Sequence, residues 1–194
     1  MDGRHPGARV ARIHKEGTMA ESRFSTRRRR RLVVTLCGLT VFASSAAAAW
    51  ALPPFAFGLK TSPPSGGQTE NYSISVGCHL TYDRFVIRLR FGGQSGYRVR
   101  YVNQIISDGS GLPVPLLGSK NLSVVLPNAR AHRINGISSL VPNVLTPLCA
   151  NLRQVKLAGD FEGVVSYGLG LKTKGAFRVF KLTNPKRIVI DVHH

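Results

Sequence analysis

The sequence is poor in acidic residues, and it lacks the motifs that mark several common enzyme classes. Nine Asp and Glu stand against 27 Lys and Arg, which gives a formal net charge of +18 at pH 7. The chain contains no H-E-x-x-H, no G-x-S-x-G and no P-loop, so it carries no signature of a zinc protease, a serine hydrolase or a nucleotide-binding enzyme. We therefore expect a protein that is not an enzyme and that needs neither a cofactor nor a metal.

The first fifty residues have the layout of an export signal. Five consecutive arginines at residues 27–31 precede an uncharged apolar stretch at residues 32–51, which ends in small residues. An A-x-A motif that ends at Ala51 predicts cleavage between Ala51 and Leu52. We expect translation to start at Met19, because Lys15-Glu16-Gly17 can be encoded by a bacterial ribosome-binding sequence just upstream.

An uncleaved membrane anchor is the alternative interpretation of the same segment. Twenty apolar residues are long enough to span a bilayer, although the second half is mostly Ala and Ser and only weakly hydrophobic, which favours cleavage. Both interpretations place the rest of the chain outside the cytoplasm, in the extracellular space or at the cell envelope. The membrane is then contacted only through an uncleaved N-terminal segment, and nucleic acid is an unsuitable partner despite the charge.

Beyond the signal, the sequence predicts a linker and one all-β domain. Residues 52–69 are rich in Pro and Gly and predict a flexible linker, and residues 70–194 predict the domain. The domain shows period-two alternation and no sustained helical periodicity, which is typical of a small β-sandwich or barrel. Eight short strand candidates are residues 73–79, 85–91, 97–101, 121–126, 152–158, 164–169, 177–182 and 187–192.

Two consecutive strand candidates carry arginine at alternate positions. Residues 92–96 form a short Gly-rich loop, which predicts that the flanking strands are antiparallel neighbours. Four guanidinium groups then share one outer face and form a candidate binding site for an anionic polymer: Arg88, Arg90, Arg98 and Arg100. The alternative is ordinary solvated charge on the outside of a sheet.

Two cysteines remain after the predicted cleavage, Cys78 and Cys149. An even pair in an exported chain predicts a disulfide. A nucleophilic Cys149 is the alternative, and His132 is then its candidate base.

Four other polar residues are weaker candidates for a site. For His79 and Asp83 we expect surface polar groups near a turn rather than a catalytic pair. For Asp160 and Glu162 we expect structural roles, since the flanking glycines indicate a turn.

The C-terminal part of the chain resembles a known family. The segment LRQVKLAGDFEGVVSYGLGL at residues 152–171 and the ending NPKRIVIDV at residues 184–192 carry the likeness, supported by YDRFV at 82–86 and GYRVRYV at 96–102. They resemble the AMIN-like domain proteins, which are exported proteins common in actinobacteria. The resemblance covers residues 70–194 and implies a non-catalytic β-domain related to the AMIN domains that bind peptidoglycan and localise envelope enzymes. This chain departs from such domains by carrying Arg88 and Arg90 on a strand that is usually acidic there.

Together these patterns predict an exported, non-catalytic domain of the cell envelope. Its expected ligand is peptidoglycan, a cell-wall glycan or an anionic wall polymer, with an envelope enzyme as a further partner. The alternative is an envelope hydrolase or a regulator of one, and nucleic-acid binding is less favoured.

Overall fold

The structure is a computed structural model, and it describes residues 51–194. The predicted export signal and Met19 lie outside the described residues, apart from Ala51 at the predicted cleavage bond. Within residues 51–194, no helical segment has the length and apolarity required to cross a membrane.

The described residues form two β-sheets, which confirms the predicted all-β fold. The strands are β1 Lys60–Ser62, β2 Thr69–Cys78, β3 Tyr82–Arg90, β4 Tyr97–Val102, β5 Lys120–Pro127, β6 Ala129–Arg130, β7 Val144–Leu145, β8 Leu152–Phe161, β9 Val164–Leu171, β10 Phe177–Thr183 and β11 Lys186–His193. One sheet has six strands in the order β1-β4-β5-β9-β8-β7, and the other has five in the order β10-β11-β3-β2-β6. All eight strand candidates are strands, and only the short β1, β6 and β7 were not predicted from the sequence.

The core lies between the two sheets and is built by the period-two alternation. On β3, Phe85, Ile87 and Leu89 are buried while the intervening residues face outward. A T-shaped contact between the rings of Phe85 and Tyr167, with centroids 5.5 Å apart, joins the five-stranded sheet to the six-stranded sheet. Each fully buried side chain of this size contributes about 1.5–3 kcal/mol relative to an exposed one.

The connection from β3 to β4 differs from the sequence prediction. Residues 92–96 do not close a hairpin: β3 pairs with β2 and β11, whereas β4 pairs with β1 and β5 in the other sheet. Phe91 and Gly92 have left-handed φ values of 57° and 49°, and the Gly93 amide donates to the Gly67 carbonyl at 2.8 Å. A Cβ on Gly93 would lie 1.7 Å from the Ser65 carbonyl oxygen, so only glycine permits this close passage. The loop is therefore held against residues 65–68 and carries the chain across the sandwich.

Part of the segment expected to be a flexible linker is ordered by the sheets. β1 pairs with β4, and two isolated bridges join Ala56 to Phe177 and Ser65 to Gln94. Residues 56–65 therefore take part in the β-structure at three points.

Candidate functional site

The four arginines predicted to share one face lie on two different sheets. Arg88 and Arg90 point outward from β3 in the five-stranded sheet, and Arg98 and Arg100 point outward from β4 in the six-stranded sheet. The prediction of a single face was wrong because its premise, pairing of β3 with β4, does not hold. The core separates the two pairs of guanidinium groups.

The outer side of the five-stranded sheet is nevertheless strongly basic. Directly opposite residues in neighbouring strands point to the same side of a sheet, so the strand registers define this surface. It carries six arginines and two acidic residues, a surplus of four positive charges, and we call it the basic face: Arg84, Arg88, Arg90, Arg130, Arg178, Arg187, Glu70 and Asp191.

At one end of the basic face, Asp191 binds two of these arginines. Its carboxylate is fully buried and accepts hydrogen bonds from Arg84 Nε at 2.6 Å, Arg84 Nη2 at 2.9 Å and Arg178 Nε at 2.8 Å. Arg178 also lies over the Phe55 ring, 4.4 Å from its centroid. The hydrogen bond to Asp191 is the main reason why the pKa of Arg84 is raised above its usual value. Both arginines are therefore committed to the fold.

At the other end, Glu70 binds Arg90 and Arg130. Arg90 donates to Glu70 Oε1 from Nε at 3.0 Å and from Nη2 at 2.5 Å, and Arg130 Nη2 lies 3.4 Å from Glu70 Oε2. Burial alone raises the pKa of Glu70, but the hydrogen bonds and charges of Arg90 and Arg130 outweigh it and lower that pKa below its usual value. Arg90, predicted to contact a ligand, thus has a structural partner.

This lowered pKa predicts a pH-dependent contribution to stability. The folded protein holds Glu70 ionised at a pH where the unfolded chain begins to bind a proton, so the stabilisation is present above about pH 4.5 and is lost as pH falls through the folded-state pKa. We expect Glu70→Gln to lower the free energy of unfolding by about 2 kcal/mol at neutral pH, with the deficit shrinking in acid. Urea denaturation across this pH range measures it. The exposed Glu162→Gln is the matched control, and a deficit that is independent of pH would contradict the assignment.

The middle of the basic face holds two arginines without a carboxylate partner. Arg88 and Arg187 are directly opposite each other on β3 and β11. Within residues 51–194, Arg88 is exposed and makes no hydrogen bond, ion pair or ring contact, and the Arg187 side chain donates only to the Pro185 carbonyl, at 3.3 Å. Like charges directly opposite each other are destabilising, so this pair costs stability in the unliganded domain.

Arg98 and Arg100 line a separate groove on the six-stranded sheet. The groove has a volume of about 380 Å³, and Pro63, Pro64 and Pro127 form part of its lining. Within the described residues, the two guanidinium groups have no carboxylate within ion-pair distance. This sheet therefore offers a second, smaller basic surface.

The predicted disulfide is confirmed. Cys78 and Cys149 are bonded, with their Cα atoms 5.2 Å apart, and the bond links the end of β2 to the segment that precedes β8 in the other sheet. Since Cys149 has no free thiol, the nucleophile interpretation is excluded. His132, its candidate base, instead contacts Asp160 through Nδ1 at 2.7 Å.

The other polar candidates have structural roles. Asp83 was expected at the surface, but it is fully buried. Its carboxylate accepts hydrogen bonds from the backbone amides of Asn151 and Leu152, both at 2.7 Å, which ties β3 to the start of β8.

His79 stacks on the Tyr82 ring, with centroids 4.4 Å apart. Asp160 accepts the Ala131 amide at 3.0 Å, in keeping with the expected structural role.

Four arginines of the basic face are not among the site residues predicted from the sequence: Arg84, Arg130, Arg178 and Arg187. The alternation of Arg187, Val189 and Asp191 on β11 places the arginine on an outward face, and this signal was available in the sequence. The sequence does not show that β11 lies beside β3, because their pairing joins distant parts of the chain.

Two sheets around one core, an intersheet disulfide and an arginine-rich outer surface define a cationic β-sandwich domain. The family model for the AMIN-like domain matches residues 70–194, and the chain belongs to this family. AMIN-like domains are related to the AMIN domains that bind peptidoglycan, and they are typically non-catalytic binding domains. The family and the disulfide are consistent with an extracytoplasmic location. No curated protein and no solved structure matches the chain.

Proposed function

We propose that this chain is an exported, non-catalytic domain of the cell envelope that binds an anionic wall polymer, in the context of peptidoglycan, through the basic face. The observation that carries the proposal is the Arg88–Arg187 pair. Two like charges sit directly opposite each other, and neither has a carboxylate partner in the part of the chain that the structure describes. An anionic ligand would remove the repulsion between them.

The chemistry of arginine suits such a ligand. The planar guanidinium group binds phosphate or carboxylate through two parallel hydrogen bonds, which a lysine ammonium does not offer. Side chains directly opposite each other in an antiparallel pair have Cβ atoms about 4.5–5.5 Å apart, so one phosphate or carboxylate can contact both arginines. Beside this pair, Phe180 and Val86 are half-buried and give an alkyl part of a polymer an apolar surface to lie on.

For the N-terminal part of the chain, we propose that the segment before residue 52 directs export. Removal of that segment between Ala51 and Leu52 would release the domain into the wall, and the disulfide is suited to that oxidising location. An envelope enzyme remains a proposed second partner, since the related AMIN domains bring enzymes to peptidoglycan.

The decisive test compares two charge-matched double variants for retention on purified cell-wall sacculi. We expect Arg88→Gln/Arg187→Gln to weaken retention about 10- to 30-fold at low salt, because each charge contact at a solvent-exposed site is worth about 1 kcal/mol. Retention of the native chain should also fall as salt rises, since exposed charges are screened within about 10 Å at 0.1 M. Both arginines are on the surface, so the folded state should persist.

Arg98→Gln/Arg100→Gln is the matched control, since it removes the same charge from the other sheet. Full retention by the Arg88/Arg187 variant would exclude the basic face. Equal losses in the two variants would show that net charge alone drives binding.

A further inference from the structure

A cleft of about 630 Å³ opens where the Glu70 end of the basic face meets two loops. Its floor is formed by Glu70, Arg90 and Arg130; one wall is Phe91, and the other is the turn at residues 133–135. We call it the Phe91 cleft. Its volume falls within the range of about 300–1,000 Å³ that is usual for small-ligand sites.

The first wall presents an aromatic ring on a constrained backbone. Phe91 is 62% exposed. Its φ of 57° is a backbone conformation that bulky residues rarely adopt and that costs about 1–3 kcal/mol. Lys186 Nζ donates to the carbonyls of Phe91 at 3.1 Å and Gly92 at 2.5 Å. A Cβ on Gly92 would lie 2.1 Å from the Gln68 carbonyl oxygen, so the loop is packed tightly behind the ring. The ring is therefore presented to solvent by a constrained backbone.

The second wall presents an aliphatic side chain beside a cation. Ile134 is 93% exposed in a turn that the Arg133 amide closes on the Ile137 carbonyl at 2.8 Å, and the Asn135 side chain caps the Ile137 amide at 3.2 Å. Arg133 is exposed, and within residues 51–194 its guanidinium group forms no hydrogen bond and no ion pair. An apolar side chain and an available guanidinium group thus stand together on this wall.

The cleft carries a surplus of two positive charges, because three arginines face one glutamate. Arg90 is held by two hydrogen bonds to Glu70, and its guanidinium group lies over the Phe91 ring, 5.1 Å from the centroid. Arg130 contacts Glu70 and Gln68 only at 3.4 Å each, which is at the long end for hydrogen bonds. Arg130 and Arg133 are therefore the groups available to an incoming anion.

We propose that the Phe91 cleft binds the carboxylate end of a short apolar peptide. The carboxylate would contact Arg133 and Arg130, and a small apolar side chain would lie between Phe91 and Ile134. A hydrated sugar phosphate matches the charge but not the two apolar walls, whereas a peptide with small side chains matches both. This identification of the natural ligand rests on the proposed function. The ligand is then the peptide part of peptidoglycan, and the basic face binds the anionic polymer beside it.

The test is a titration of the ¹⁵N-labelled chain with acetyl-Ala-Ala, which has a free carboxylate, and with the same peptide as its C-terminal amide. We expect the acid to shift the amide resonances of residues 91–93 and 131–136 saturably, and the amide to bind at least about tenfold more weakly, since it loses a charge-assisted contact of about 1.5–3 kcal/mol. Equal binding of the two peptides, shifts elsewhere or no shifts would overturn the proposal.

Exposed variants then assign the walls. Arg133→Gln and Ile134→Ser should each weaken binding of the acid about five- to tenfold without changing the thermal midpoint. Arg88→Gln is the control for the charge, and Leu80→Ser is the control for the apolar side chain, because Leu80 is as exposed as Ile134. Both controls should bind the peptide normally. Controls that lose as much affinity as the wall variants would contradict the assignment.

The two proposals fail separately. Arg88→Gln/Arg187→Gln should lose retention on sacculi while it keeps peptide binding. If sacculi are retained normally but the peptide does not bind, the cleft assignment fails and the basic face stands. If the peptide binds but no variant of the basic face affects retention, the reverse holds.

Discussion

Loss of the Cys78–Cys149 disulfide is expected to lower the free energy of unfolding by about 4 kcal/mol. The bond closes a loop between residues 71 positions apart, and in the chain-entropy model a loop of that size restricts the unfolded chain by about this amount. For a domain of this size, the thermal midpoint should fall by about 10–15 °C. Scanning calorimetry of the Cys78→Ala/Cys149→Ala variant against the native chain measures the difference.

The control for this prediction is the reductant itself. A reducing agent should lower the midpoint of the native chain toward that of the variant and leave the variant unchanged. An unchanged midpoint in both experiments would show that the β-sandwich does not depend on this covalent link between its sheets.

Substitution of Asp191 by alanine is expected to destabilise the domain by about 3 kcal/mol. The carboxylate is fully buried and is the acceptor for both Arg84 and Arg178, whose side chains are only 27% and 13% exposed. Removing one partner of a buried ion pair costs about 3–5 kcal/mol because the remaining charge loses its compensation, and here two charges are left close together. Urea denaturation gives the value, and Glu162→Ala on an exposed turn should stay within about 0.5 kcal/mol of the native chain.

A rescue variant separates charge from packing at this site. Replacing both arginines by methionine in the Asp191→Ala background removes the uncompensated cations while it keeps most of the apolar side chain. Recovery of stability would show that the unpaired charges cause the loss. A further loss would assign the cost to the hydrogen-bonded geometry instead.

The sequence predicted strands such as β3 because they have one buried face. Where apolar and polar residues alternate, as in Phe85, Val86, Ile87 and Arg88, the side that is buried follows from the pleat alone. The flanking glycines also predicted a turn at Asp160 and Glu162. The structure places the turn at Glu162 and Gly163, with left-handed φ values of 47° and 77°, while Asp160 still belongs to β8. Local pattern was sufficient for these elements.

The candidate site was less predictable because it depends on which strands are neighbours. A five-residue loop ordinarily makes a hairpin, but the loop at residues 92–96 packs against Ser65 and Gln68, and that contact directs it to the other sheet. The sequence pattern also cannot show that Arg90 is bound to Glu70 while Arg88 has no such partner. That difference follows from the register of β2 on β3, which a bulge between Asn71 and Ser73 shifts.

The position of β11 has a consequence for the order in which the domain can fold. β11 lies between β10 and β3, and its Asp191 pairs with Arg84 across a separation of 107 residues. A chain that has emerged only as far as β9 has β3 paired on one side, while the backbone amides and carbonyls of its other edge are still open. Such an edge can pair with other chains, and contacts between distant residues form slowly. The extent of aggregation during synthesis or translocation should therefore depend on the time between the formation of β3 and its pairing with β11.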